Sequence, residues 1–80
     1  MKNLRIQYFA VLREQAGRGD EALRTDAATP TALYAELQAR HSFKLRREQV
    51  KVAVNAEFVD WDRELRDGDK VVFIPPVAGG

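Results

Sequence analysis

Cysteine is absent from the 80-residue chain. That one absence removes disulfides, thiolate metal sites, iron–sulfur clusters and cysteine nucleophiles together, and it suits a cytosolic protein. Histidine occurs once, as His41. Neither a second histidine nor a group of carboxylates accompanies it in the sequence. A lone histidine near a helix end is more often a dipole partner or a satisfied surface group than a ligand or base, so His41 is set aside as a site. Charge of one sign is also lacking: 13 Lys and Arg oppose 12 Asp and Glu for a net charge of +1. Such a balance creates no polyanion-binding field, and the doublet Arg46-Arg47 has none of the interleaved aromatics that single-stranded nucleic acid requires. No apolar run approaches membrane-spanning length, and Met1-Lys2-Asn3-Leu4 opens a strand rather than a signal peptide. Repeats and low-complexity segments are missing too.

What is present is a chain short enough for one core. A domain this small must bury nearly every large apolar residue. Hydrophobic residues make up 45% and charged ones 31%, the composition of a folded globular chain rather than a disordered one.

Alternation from Asn3 to Ala10 puts Leu4, Ile6, Tyr8 and Ala10 on one face of a strand and Arg5 and Gln7 on the other. Phe9 is out of phase, an aromatic on the polar side. Val11 to Ala16 predicts a short helical turn with Gly17 as its C-cap. Glu21 to Asp26, with Leu23 and Thr25 on one face, predicts a second strand pairing back on the first. Thr29-Pro30 predicts a helix start, Thr29 as N-cap and Pro30 at the first position. Leu33, Tyr34, Leu37 and His41 follow at helical spacing to an end near His41-Ser42. Phe43 and Leu45 then cover the edge of the core. Val50, Val52 and Val54 mark a third strand, Asn55-Ala56-Glu57 a turn, and Phe58-Val59 a short return strand. Asp60 and Asp62 flank Trp61 with no third ligand type beside them, so they read as a solvated turn. Leu65 packs inward, Asp67-Gly68-Asp69 turns the chain, and the run Val71–Ile74 is the final strand.

The stretch Phe73-Ile74-Pro75-Pro76-Val77-Ala78-Gly79-Gly80 is unusual. Two prolines stop the ladder and send the chain out stiffly extended. From Pro75 to the terminal carboxylate is roughly 20 Å when extended. Glycines at 79 and 80 thread a narrow channel and leave that carboxylate sterically open. The expected fold is α+β, a β-grasp: a mixed sheet of about four to five strands on one main helix, the last strand central and parallel to the first. Residues 1–76 form the domain and 77–80 a flexible diglycine tail. Phe9, Ile74 and Phe58 then meet on the face away from the helix, an apolar patch suited to docking.

Tyr8-Phe9-Ala10 with Leu12-Arg13-Glu14, Val52-Ala53-Val54-Asn55, Leu65-Arg66-Asp67-Gly68-Asp69-Lys70-Val71 and the Pro-Pro-Val-x-Gly-Gly ending carry a further reading. Together they resemble the small, sulfur-carrying subunits of molybdopterin synthase, in the MoaD/ThiS group of ubiquitin-like β-grasp proteins. The likeness covers essentially the whole chain, though Glu21–Gln49 matches only in pattern. It implies that an activating enzyme joins AMP from ATP to the Gly80 carboxylate. A sulfur donor then replaces AMP to leave a thiocarboxylate. The tail, Pro75, Pro76, Val77, Ala78 and Gly79, enters the active site of the large synthase subunit. There the sulfur passes to cyclic pyranopterin monophosphate to build the molybdopterin dithiolene.

The resemblance also implies partner contacts at Phe9, Arg13, Phe58 and Ile74, and catalytic groups in the large subunit rather than here. It implies no stably bound cofactor or metal, a cytoplasmic location, and a heterotetramer of two small and two large subunits. The ubiquitin-activating-enzyme-like adenylyltransferase is the other implied partner; neither nucleic acid nor membrane is. Ala78 stands where Thr or Ser is frequent, a mild departure. Alternatives are a carrier serving another pathway, such as thiamine thiazole synthesis, or a ubiquitin-like modifier.

Overall fold

A computed structural model describes residues 1–76. The elements run β1 (Lys2–Tyr8), α1 (Ala10–Ala16), β2 (Asp20–Thr25), α2 (Pro30–His41), a 3₁₀ turn (Arg47–Gln49), β3 (Lys51–Val54), β4 (Glu57–Phe58) and β5 (Lys70–Ile74). The five strands form one sheet in the order β2-β1-β5-β3-β4. β1 and β2 are antiparallel, β1 and β5 parallel, and β5 antiparallel to β3. This is the β-grasp arrangement, with the last strand at the centre.

The alternation of β1 holds up to Tyr8: Leu4, Ile6 and Tyr8 are each 1% exposed. Ala10 does not continue that face. It takes φ 51 and turns the chain into α1, where it is exposed. A left-handed backbone at a residue carrying a Cβ costs about 1–2 kcal/mol, and the reversal it makes ends the strand. Phe9 is therefore the last extended residue, capping α1; its carbonyl accepts from the N–H of Leu12 at 3.1 Å. Gly17, at φ 77, closes the helix as expected, its N–H donating to the Arg13 carbonyl.

Thr29 caps α2 by accepting from the Ala32 N–H, with Pro30 in the first turn. The helix lays Leu33, Tyr34 and Leu37 on the sheet. These join Leu4, Ile6, Tyr8, Val52, Val54, Val71 and Phe73 in one core, to which α1 adds Leu12. Trp61 is half-buried and stacks on Phe73 with ring centroids 5.9 Å apart, so it seals the core rather than serving the flanking aspartates. The long loop after β4 is held against the start of α2, where the N–H of Thr31 donates to the Trp61 carbonyl at 3.1 Å, and against the segment before it, where that of Leu65 donates to the Ala28 carbonyl at 2.8 Å.

Both helices contribute to the core on one side of the sheet. The other side shows the alternate residues of every strand: Arg5 and Gln7, Ala22 and Arg24, Lys51 and Ala53, Phe58, then Lys70, Val72 and Ile74. No element among the described residues covers it.

Candidate functional site

Geometry concentrates on the end of β5. The ladder bonds of this strand run to β1 on one side and to β3 on the other, so its course is fixed from both flanks. At its end Pro75 is buried and Pro76 exposed, and proline's missing N–H stops the pairing there. The chain thus leaves the sheet from its middle strand. A groove of about 350 Å³ lies beside this exit, lined by Val50, Lys51, Ile74, Pro75 and Pro76 with Glu48 and Gln49. Val77, Ala78, Gly79 and Gly80, the tail and its reactive carboxylate in the sequence reading, lie outside the described residues.

The strand register sorts the expected contact residues. Phe58 pairs with Ala53, and Ala53 with Val72, giving a continuous row across β4, β3 and β5 on the uncovered face. Ile74 pairs with Lys51 in the next row, and the Lys51 ammonium sits 5.9 Å from the Phe58 ring centroid. Lys51 therefore links Phe58 to Ile74. Tyr8 pairs with Phe73, so Phe9 follows at the end of the β1–β5 seam, level with Ile74. Phe58 is 69% exposed and Phe9 43%, both unusual for a side chain of that size. The Arg13 side chain lies across Gly19 in the turn before β2, where a Cβ would stand 3.4 Å from its Nε.

Two buried polar groups escaped the sequence reading. Asp69 is 6% exposed. It accepts from the Arg66 N–H at 2.9 Å, the Asn55 amide at 2.9 Å and the Arg63 guanidinium at 3.2 Å. Burial pushes its pKa up, but these three donors outweigh that and hold it below the usual carboxylate value. Glu21 accepts from the Tyr8 hydroxyl and meets His41 Nε2 at 2.7 Å. Burial again raises its pKa; the Tyr8 and His41 hydrogen bonds, with the charges of His41 and Arg18, overcome it and leave a net lowering. Burial and the same carboxylate push the Tyr8 phenol up. His41 is thus the far end of a staple joining β1, β2 and α2. The 13- and 20-residue separations hide both contacts from any local pattern.

Asp60 and Asp62 remain exposed, with Phe58, Val59 and Arg63 around a shallow depression. Among the described residues no three or more His, Cys, Asp or Glu are grouped to hold a metal ion. No helix there is long and apolar enough to cross a membrane.

A sequence model of the ThiS family matches residues 6–80. The chain belongs to the ThiS family. Among its relatives, the molybdopterin synthase sulfur carrier subunit of Escherichia coli (strain K12) is 35% identical over 80 residues, covering 96% of this chain and 99% of the relative. A chain of the BexX/CysO complex from Amycolatopsis orientalis superposes with a TM-score of 0.71 at 26% identity, covering 96% of this ThiS-family chain and 99% of its own. The ubiquitin of Caldiarchaeum subterraneum gives 0.63 at 20% identity over 99% and 98%, a likeness of fold alone.

Proposed function

We propose that this ThiS-family chain is the sulfur-carrier subunit of a molybdopterin synthase, working in the cytoplasm and without catalytic groups of its own. The observation that carries the reading is the full-length similarity to the Escherichia coli carrier, 35% identical, within a family match that runs through the diglycine to Gly80. A central strand that delivers its C-terminal end beyond the sheet suits the same purpose.

The chemistry starts from a poor electrophile. One oxygen of the Gly80 carboxylate attacks the α-phosphate of ATP on an adenylyltransferase, releasing pyrophosphate and forming an acyl-adenylate. A donor's sulfur, at the sulfide oxidation level, then adds to the acyl carbon and AMP departs, leaving a thiocarboxylate. That sulfur is a far better nucleophile than the carboxylate oxygen it replaced. In the large subunit it attacks a side-chain carbon of cyclic pyranopterin monophosphate, a carbon–sulfur bond forming as that carbon's bond to oxygen breaks and the oxygen departs. Water then adds at the acyl carbon, the acyl–sulfur bond breaks, the sulfur stays on the pterin and the Gly80 carboxylate returns. Two such deliveries complete one dithiolene. Phe9, Phe58 and Ile74 form the docking surface, Arg13 stands beside it, and Pro75 to Gly79 carry Gly80 into the partner.

The test is the intact mass of the chain after incubation with ATP, its cognate activating enzyme and a sulfur donor. One oxygen-to-sulfur exchange is expected, and a pterin assay with the large subunit then identifies the pathway. Gly79→Ala and Gly80→Ala should impair activation or transfer while the unfolding transition stays put. An unchanged mass with a demonstrably active enzyme overturns the carrier reading.

A further inference from the structure

The uncovered face is electrically lopsided. Strand alternation gives it Arg5, Arg24, Lys51 and Lys70 against a single carboxylate, Asp20. The whole chain carries only +1, so the rest of the molecule is net acidic. Nor is the excess evenly spread. Arg5 and Lys70 stand opposite each other across the parallel β1–β5 seam, and both are exposed. Like charges so placed destabilise a sheet. Among the described residues neither enters an ion pair. With Ile6, Gln7 and Asp20 they line a notch of about 170 Å³.

We propose that Arg5 and Lys70 form a clamp for carboxylates on an acidic rim of the partner that receives the tail, while Phe58 and Ile74 engage that partner's apolar centre. The inference rests on the carrier reading and adds the partner's chemistry to it. A guanidinium offers a planar fork that matches a carboxylate, and an ammonium beside it supplies a point charge. The adjoining Phe58, 69% exposed, and half-buried Val72 call for apolar side chains, which a protein surface provides and a phosphate polymer does not. β5 runs from Lys70 to Ile74, so the clamp and the tail exit lie roughly 13 Å apart along one strand. Two dissimilar contacts at that separation fix which way round the carrier docks, and hence the direction in which the chain beyond Pro76 is offered.

Binding kinetics against the large subunit from the same organism, at low and high salt, test the clamp. The double variant Arg5→Glu/Lys70→Glu keeps a like-charged pair but inverts its sign, and thermal unfolding checks that it is folded. Its association rate at low salt should fall by at least about tenfold, with a flatter salt dependence than wild type. Phe58→Ala should act instead on dissociation. Association within about twofold of wild type in the double variant overturns the clamp, whether or not Phe58→Ala weakens binding. The carrier reading is scored separately, by oxygen-to-sulfur exchange at Gly80 in the wild-type chain.

Discussion

Asp69 shows how much one buried carboxylate organises. Its side chain joins the turn before β5 to Asn55 at the end of β3 and to Arg63 in the long loop, while its carbonyl accepts from the Arg5 N–H at the start of the parallel seam. Replacing it with alanine leaves the Arg66 N–H and the Asn55 amide without their acceptor. Asp69→Ala should therefore destabilise the fold by about 1.5–3 kcal/mol at neutral pH. The pH dependence has a definite sign. The folded pKa of Asp69 lies below its ordinary value of 3.8, and that of Glu21 below 4.5. Each group's stabilisation is complete above its ordinary value and is lost as the pH falls toward the folded one. Denaturant unfolding of wild type and Asp69→Ala should show a gap that shrinks between neutral pH and about pH 3. A constant gap would assign the loss to packing instead.

At the scale of elements, the cap, the proline and the periodicity of α2 were readable in the sequence because each is local. Thr29, Pro30 and the Leu33, Tyr34, Leu37 spacing form the helix the residues predict. The same holds for the Asn55-Ala56 turn, whose φ values of 53 and 73 are those of a two-residue hairpin. Ala56 is a poor occupant of its left-handed position, where glycine has no Cβ to strain. Ala56→Gly should raise stability by up to about 1 kcal/mol, measured as a higher unfolding midpoint with an unchanged denaturant slope. What local pattern did not reveal was where a strand gives way to something else. Ala10 has the right spacing for the buried face of β1, yet the chain reverses at that residue and Phe9 becomes a cap. Glu21, His41 and Tyr8 were equally illegible, since their contact exists only after β1, β2 and α2 have packed.

Across the whole molecule, the buried core and the proposed docking surface lie on opposite sides of one sheet. The helix side carries the core, and the bare side carries Phe58, Ile74 and the cations. In the sequence the bare side was marked by Phe9, out of phase with the alternation of β1, and by the placing of Phe58 on a return strand beside it. The pairing of Arg5 with Lys70 was not legible there, because their 65-residue separation is closed only by the parallel register of β1 and β5. Substitutions should therefore separate cleanly. Ile6→Ala removes a side chain that is 1% exposed and should cost about 2–5 kcal/mol of folding stability. Phe58→Asp alters one that is 69% exposed, so its unfolding free energy should stay within about 0.5 kcal/mol of wild type. The same change places a carboxylate on the proposed docking surface, and affinity for the large subunit should fall by about 2 kcal/mol or more, roughly thirtyfold. Calorimetric binding beside denaturant unfolding reads both quantities on one preparation. If Phe58→Asp lost stability as Ile6→Ala does, the bare face would be part of the fold's support, and the docking role would have to move elsewhere.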